Sequence, residues 1–189
     1  MQELSEETQG RIRPLRRAEF DRMVDAGLLG EDERVELLFG YLVAMSPIGA
    51  RHAATVNRLT RLLVTAIGDR GVVCIQNPLA LSDDSEPQPD VAVVPPGDYD
   101  EALPTEALLV IEVADSSLET DRTDKARLYA TAGVPEYWVV NLIDRVVEVS
   151  TVPHGALYSH TATYRAQDAI RLVRFPDLEI SVSDVLAQH

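Results

Sequence analysis

Apolar and polar positions divide the chain into segments of different period. Residues 15–29 carry Phe20, Met23, Val24 and Leu28 at helical spacing, and Gly27 and Gly30 close the run. Residues 34–45 (RVELLFGYLVAM) have strand composition with Gly40 at the bend, which predicts a hairpin broken by Pro47 and Gly49. Residues 50–67 repeat apolar side chains at Val56, Leu59, Leu63, Ala66 and Ile67, the stripe of a long helix. Strands are predicted at 71–75, with 79–81 continuing it after Pro78, and at 90–94, closed by Pro95, Pro96 and Gly97. An acidic turn at 82–87 separates them. Residues 108–114 are almost continuously apolar, the mark of a centre strand covered on both faces. Ser116, Ser117 and Thr120 are candidate caps for a helix over 121–132, which Gly133 stops. Strands follow at 136–141 and 146–151, with weaker ones around 156–163, 169–175 and 178–181, and a short helix at 183–187 closes the chain.

This order predicts a mixed central sheet flanked by helices, hence α/β or α+β, preceded by an N-terminal helix and hairpin and followed by extra C-terminal strands. Residues 1–12 read as a flexible polar tail and 13–189 as a single domain. At 189 residues and 46% apolar content the chain suits one globular core and is too apolar to be disordered throughout. No apolar run nears the ~20 residues of a membrane span, so no membrane association is expected. The polar, acidic start (MQELSEET) lacks the features of a secretory signal, and a cytoplasmic location is the expectation. A single cysteine, Cys74, excludes an intrachain disulfide and a cysteine-based zinc site.

Charge changes the picture. The formal net charge is −14, and residues 83–124 hold 13 acids against one base, Arg122. Most of these acids read as a solvated face. Of 17 basic residues only one is lysine, Lys125. A lysine is a compact charge with a tunable pKa where arginine is a broad, permanent one, so its single use reads either as compositional bias or as a place where arginine would not serve.

Glu112 falls inside the most apolar strand of the chain. A buried carboxylate must be protonated, paired or bound to a metal. Asp90 opens the neighbouring strand DVAVV after Pro89. If the two strands pair antiparallel, the two carboxylates meet at one edge of the sheet, where a cation between them relieves their repulsion. Two oxygen ligands of this kind suit Mg²⁺ or Mn²⁺. Lys125 lies early in the helix that follows the Glu112 strand and can reach back over the pair. Tyr129, four residues on, reads as a packing residue, and Trp138 as core. His154, His160 and His189 show no ligand spacing.

The runs PDVAVV, LLVIEVADSS and DRTDKARLYATAGVPEYWVVN resemble the Uma-type restriction endonuclease family of the PD-(D/E)XK nuclease superfamily. VELLFGYLVAMSP followed by Arg51-His52 also resembles its N-terminal region, so the resemblance covers roughly residues 15–175, with GVPEYWVVN its most specific part. It implies a restriction-endonuclease-like core. Asp90 matches the aspartate of the PD motif and Glu112 the second acid. The superfamily's usual lysine position, two residues beyond, is Ala114, and the Uma-type pattern instead places the lysine at Lys125. Glu36 matches an early acid of the family, either a further metal ligand or a hairpin residue, and His52 also matches the pattern. Asn141 stands where the family often has Asp.

The implied function is metal-dependent hydrolysis of phosphodiester bonds in DNA. Asp90, Glu112 and the backbone carbonyl of Val113 are expected to hold Mg²⁺ or Mn²⁺, with Lys125 positioning a water or steadying charge. Arg51, Arg58 and Arg61 share a helix face and are candidates for contact with nucleic acid, as are Arg11, Arg13, Arg16 and Arg17 before them. A homodimer would bring two such strips together. The acidic balance opposes unaided DNA binding. A non-catalytic interaction protein on the same scaffold, or a hydrolase of RNA or small phosphoesters, are the alternatives.

Overall fold

The computed structural model describes residues 11–30 and 33–186; the expected tail lies outside these except for Arg11 and Ile12, as does His189. In chain order the elements are α1 (Arg17–Asp25), β1 (Val35–Leu38), β2 (Tyr41–Ala44), α2 (Ala50–Ile67), β3 (Val72–Ile75), β4 (Val91–Val94) and β5 (Leu109–Ala114). A helical crossover follows in three pieces: α3 (Leu118–Thr120), a π-helical segment (Asp121–Lys125) and α4 (Ala126–Thr131). Then come β6 (Glu136–Asn141), β7 (Val146–His154), β8 (Leu157–Tyr164), β9 (Ala169–Arg171), β10 (Glu179–Ser181) and α5 (Val182–Val185). Among the described residues no helix is long and apolar enough to cross a membrane.

The central sheet has the order β3-β4-β5-β6-β7-β8. Strands β5 and β6 run parallel, which requires the helical crossover between them, and the other neighbours are antiparallel. The expected mixed sheet with flanking helices is therefore borne out. In the β4–β5 ladder Val91 faces Ile111, so the next residues outward, Asp90 and Glu112, come opposite one another.

Both faces of β5 are covered, as its unbroken apolar run requires. One face packs Leu109, Ile111 and Val113 against the α2 stripe of Val56, Leu59, Leu63 and Ile67. The other packs Val110 and Ala114 against Leu128 and Tyr129 of α4. Glu112 shares the period of Val110 and Ala114 and so faces the crossover that carries Lys125.

Several expectations are corrected. Helix α1 stops at Asp25, and of its expected apolar face only Phe20 is buried, while Val24 and Leu28 are 52% and 70% exposed. Gly27 takes a left-handed φ of 64°, which carries Leu28 off the helix axis. Residues 79–81 do not extend β3: Gln76 adopts φ 52°, and the chain crosses as a loop with Leu79 and Ala80 bonded to Pro87 O and Pro104 O. The weak strand at 169–175 shortens to β9, which pairs with β10 in a separate ladder beneath α2.

Helix α1 is tied to the rest by a strained contact. Arg17 Nη1 lies 3.9 Å from Glu86 Oε2, yet Arg17 Nε and Glu86 Oε2 are buried with no hydrogen-bond partner. Burial, and then the charge of Asp21, push the Glu86 carboxyl up to about 7, with Arg17 opposing. A carboxyl raised in the folded state binds a proton that the unfolded chain has lost, so stability falls as pH rises from about 4.5 to about 7. Glu86→Gln removes that penalty. The variant is expected to exceed the parent in stability by roughly 1–3 kcal/mol at pH 8, with the gap closing toward pH 5. Urea denaturation at the two pH values measures it, and a gap independent of pH would contradict the account.

Candidate active site

Four separate elements converge on a cavity of about 230 Å³ beside the Asp90–Glu112 step of the sheet. Hairpin β1–β2 supplies Glu36, the first turn of α2 supplies His52, the end of β3 supplies Gln76, and the crossover supplies Asp121 and Lys125. Five carboxylates (Glu36, Asp90, Glu112, Asp115 and Asp121) line it against two permanent cations, Arg34 and Lys125.

Lys125 is the hub. Its Nζ lies 3.0 Å from Oε1 of Glu36 and 3.0 Å from Oε1 of Glu112, and all three side chains are buried. Burial pulls the ammonium's pKa down, but Glu112, Glu36 and Asp121 outweigh it and hold it above the ordinary lysine value. Glu36 is steadied on its other side by the backbone N–H of Gln88, 3.1 Å from Oε2. The Tyr129 hydroxyl also donates to Glu112 Oε1, at 2.8 Å. Even so, burial pushes the Glu112 carboxyl well up, and Asp90, Asp121 and Glu36 add to the effect.

Asp90 is the opposite case. Burial raises its pKa, but hydrogen bonds reverse the sign. His52 Nε2 lies 2.8 Å from Oδ1, the Gln76 amide donates to Oδ1 at 3.2 Å, and the Val113 N–H donates to Oδ2 at 2.9 Å. The net result is a carboxylate held below its usual range. The two facing acids are thus shifted in opposite directions, Asp90 toward the ionised form and Glu112 toward the protonated one.

The residues expected from sequence are brought together: Asp90, Glu112, Lys125, Glu36 and His52 all line the cavity. Val113 does not. It meets the site through its N–H on Asp90, and its side chain lies in the core on the α2 side. Lys125 is not the solvated partner of Asp121 on an ordinary helix; a π-helical segment turns both inward. Asp121 accepts from Ser117 Oγ at 2.6 Å, while its Oδ1 is buried without a partner. Tyr129 packs as expected, yet its hydroxyl also belongs to the site; its i+4 spacing from Lys125 was the available signal. Gln76 had none, because the left-handed backbone that aims it is invisible in composition.

The arginines divide. Arg51 and Arg58 line a second cavity of about 260 Å³, together with Arg145, which the sequence pattern did not single out. Arg61 is exposed and outside it. Arg13 pairs with Glu19, and Arg17 with Asp21 and Glu86.

This geometry can be set beside known proteins. The family model described as "Uma2: Putative restriction endonuclease" matches residues 17–183. The chain belongs to that family. Among solved structures it is similar to a putative nuclease belonging to DUF820 from Anabaena variabilis ATCC 29413, with TM-score 0.73 and 14% sequence identity, over 92% of this chain and 98% of that chain. At that identity the likeness is one of fold, and it bears out the expected nuclease-type core. No curated protein matches. Membership of the Uma2 family makes a nuclease the coarse functional reading.

The hub also predicts stability. Lys125→Met leaves Glu36 and Glu112 buried without their cation, at an expected cost of about 3–5 kcal/mol. Tyr129→Phe removes one donor and costs less, about 1–3 kcal/mol. Urea denaturation in chelator measures both, and a Lys125→Met protein as stable as the parent would refute the pairing.

Proposed function

We propose that the protein is a divalent-metal-dependent endonuclease that hydrolyses phosphodiester bonds in DNA. The observation that carries this reading is the excess of carboxylates over cations around one cavity, four of the five acids buried, at the step where Asp90 faces Glu112. Buried negative charge without a counter-charge is costly, and a hard cation is the group that would relieve it.

The donor set fits such an ion. Its carboxylates offer oxygens, the one lining imidazole, His52, is turned to Asp90, and no thiolate is among the lining residues. Asp90 Oδ2 accepts a single hydrogen bond, and both hydrogen bonds to Glu112 fall on Oε1, so each carboxylate retains acceptor capacity. Among the described residues no three His, Cys, Asp or Glu side chains are grouped closely enough to cage a metal. That suits Mg²⁺ or Mn²⁺, which take one or two carboxylates and complete their shell with water and phosphate oxygens. Asp90 and Glu112 would hold it, with the Val113 carbonyl as the family-implied third oxygen. When bound, the ion supplies Lewis acidity toward the scissile phosphate and lowers the pKa of a coordinated water.

The chain's own groups account for the remaining work. His52, Gln76 and the Val113 N–H fix the Asp90 carboxylate in one orientation. Tyr129 and Lys125 do the same for Glu112. The Lys125 ammonium, held protonated by its acidic neighbours, supplies positive charge where negative charge develops on phosphate oxygens. Glu36 keeps that ammonium over the site.

A cleavage panel tests the reading: duplex DNA, single-stranded DNA, RNA and a nitrophenyl phosphodiester, each with Mg²⁺ and with Mn²⁺. Metal-dependent cutting of DNA is expected, abolished by chelator, by Asp90→Asn and by Glu112→Gln. Lys125→Met is expected to lower the rate by about 10²–10³-fold in the folded fraction. Parent-like cutting by Glu112→Gln would overturn the assignment.

A further inference from the structure

The second cavity, lined by Arg51, Arg58 and Arg145, differs in sign from the rest of the molecule. In a chain of net charge −14, three guanidinium groups surround about 260 Å³, and among the described residues no acid lines it. Two of them are held by neutral acceptors. Arg51 Nη2 donates to Leu142 O at 2.7 Å, while Arg58 donates to Val185 O at 2.9 Å and to Thr55 Oγ1 at 2.7 Å. These bonds fix the forks without cancelling their charge, and burial lowers the pKa of Arg58, the sign of a cation with less water around it.

Arg145 sits in the turn between β6 and β7 with a left-handed φ of 57°. Glycine occupies that conformation more cheaply, by about 1 kcal/mol or more. The chain holds a strained arginine there instead.

The position of this cavity ties it to the candidate active site. Both open at the start of α2, with Gly49 and His52 on the carboxylate cavity and Ala50 and Arg51 on the arginine cavity. Helix α2 is 18 residues long and begins at Gly49 without a side-chain cap, so its positive end adds to the field. Guanidinium groups match phosphate oxygens in geometry and charge.

We infer that Arg51, Arg58 and Arg145 form a subsite for a backbone phosphate of the nucleic-acid substrate, flanking the phosphate that is cleaved. The assignment rests on the nuclease reading for its substrate class, and its test is read without cleavage. It differs from the strip expected along α2, because Arg61 is left out and Arg145 is brought in from a turn distant in sequence.

Fluorescence anisotropy of a labelled DNA duplex with the full chain, in chelator and again with Ca²⁺, over a salt series, supplies the measurement. Arg145→Gly is expected to weaken binding roughly three- to tenfold and to reduce the salt slope by about one. Arg51→Gln combined with Arg145→Gly weakens it further. Binding is compared at a temperature where thermal melting shows the parent and Arg145→Gly both folded, which separates lost binding from lost folding. Arg61→Gln is expected to bind like the parent.

Equal binding by all variants, an Arg61→Gln loss as large as that of Arg145→Gly, or no binding by the parent in either condition would overturn the subsite. A parallel titration with inorganic phosphate separates the two sources of the same chemistry: phosphate uptake lost in Arg145→Gly, with duplex binding unchanged, also overturns it. The two readings fail separately. A parent that cuts nothing with any metal, while the binding loss persists, removes the nuclease reading and keeps the subsite. Intact cleavage with unchanged binding removes only the subsite.

Discussion

A single buried ammonium organises this molecule's polar interior. Lys125 bridges Glu36 and Glu112 at 3.0 Å each, and its partners come from the N-terminal hairpin and the central strand β5. The three groups would each be costly to bury alone. Together they lock the crossover, the hairpin and the sheet into one relative placement. That placement in turn fixes where His52 meets Asp90 and where Tyr129 meets Glu112, so the site's geometry and the attachment of the hairpin depend on the same interaction.

The arrangement explains why lysine rather than arginine stands at this point. A compact ammonium can serve two carboxylates and still leave room in a cavity of about 230 Å³, where a planar guanidinium would fill the space and fix its own directions. The remaining basic residues are all arginine; Arg34 lines the same cavity, and Arg51, Arg58 and Arg145 line the second.

Much of the fold was legible in the sequence. The α2 stripe gave its helix the same bounds that the structure shows, and the apolar run at 108–114 identified the centre strand. Glu112 stood out because it broke that run, and Asp90 because it opened the neighbouring strand; antiparallel pairing then made them face each other. What was not legible depends on backbone details with no compositional mark. The π-helical segment that buries Asp121 with Lys125 and the left-handed Gln76 that aims an amide at Asp90 follow from tertiary packing rather than from local pattern, and the turn near Asp144 was expected but not the left-handed backbone at Arg145 within it. Helix α1 misled for the reverse reason. Its pattern was helical, but Val24 and Leu28 stay 52% and 70% exposed, so periodicity overstated the buried face.

The parallel junction of β5 and β6 sets how such a scaffold can diversify. At their carboxyl ends the chain leaves one strand into Asp115, Ser116 and Ser117, beside the carboxylate cavity, and leaves the other into Leu142, beside the arginine cavity. Connections that part in this way open a crevice between them without breaking a ladder. Insertions or exchanges in either exit loop would therefore reshape one cavity while the ladder and the other cavity stay intact, so the two can drift on separate evolutionary clocks.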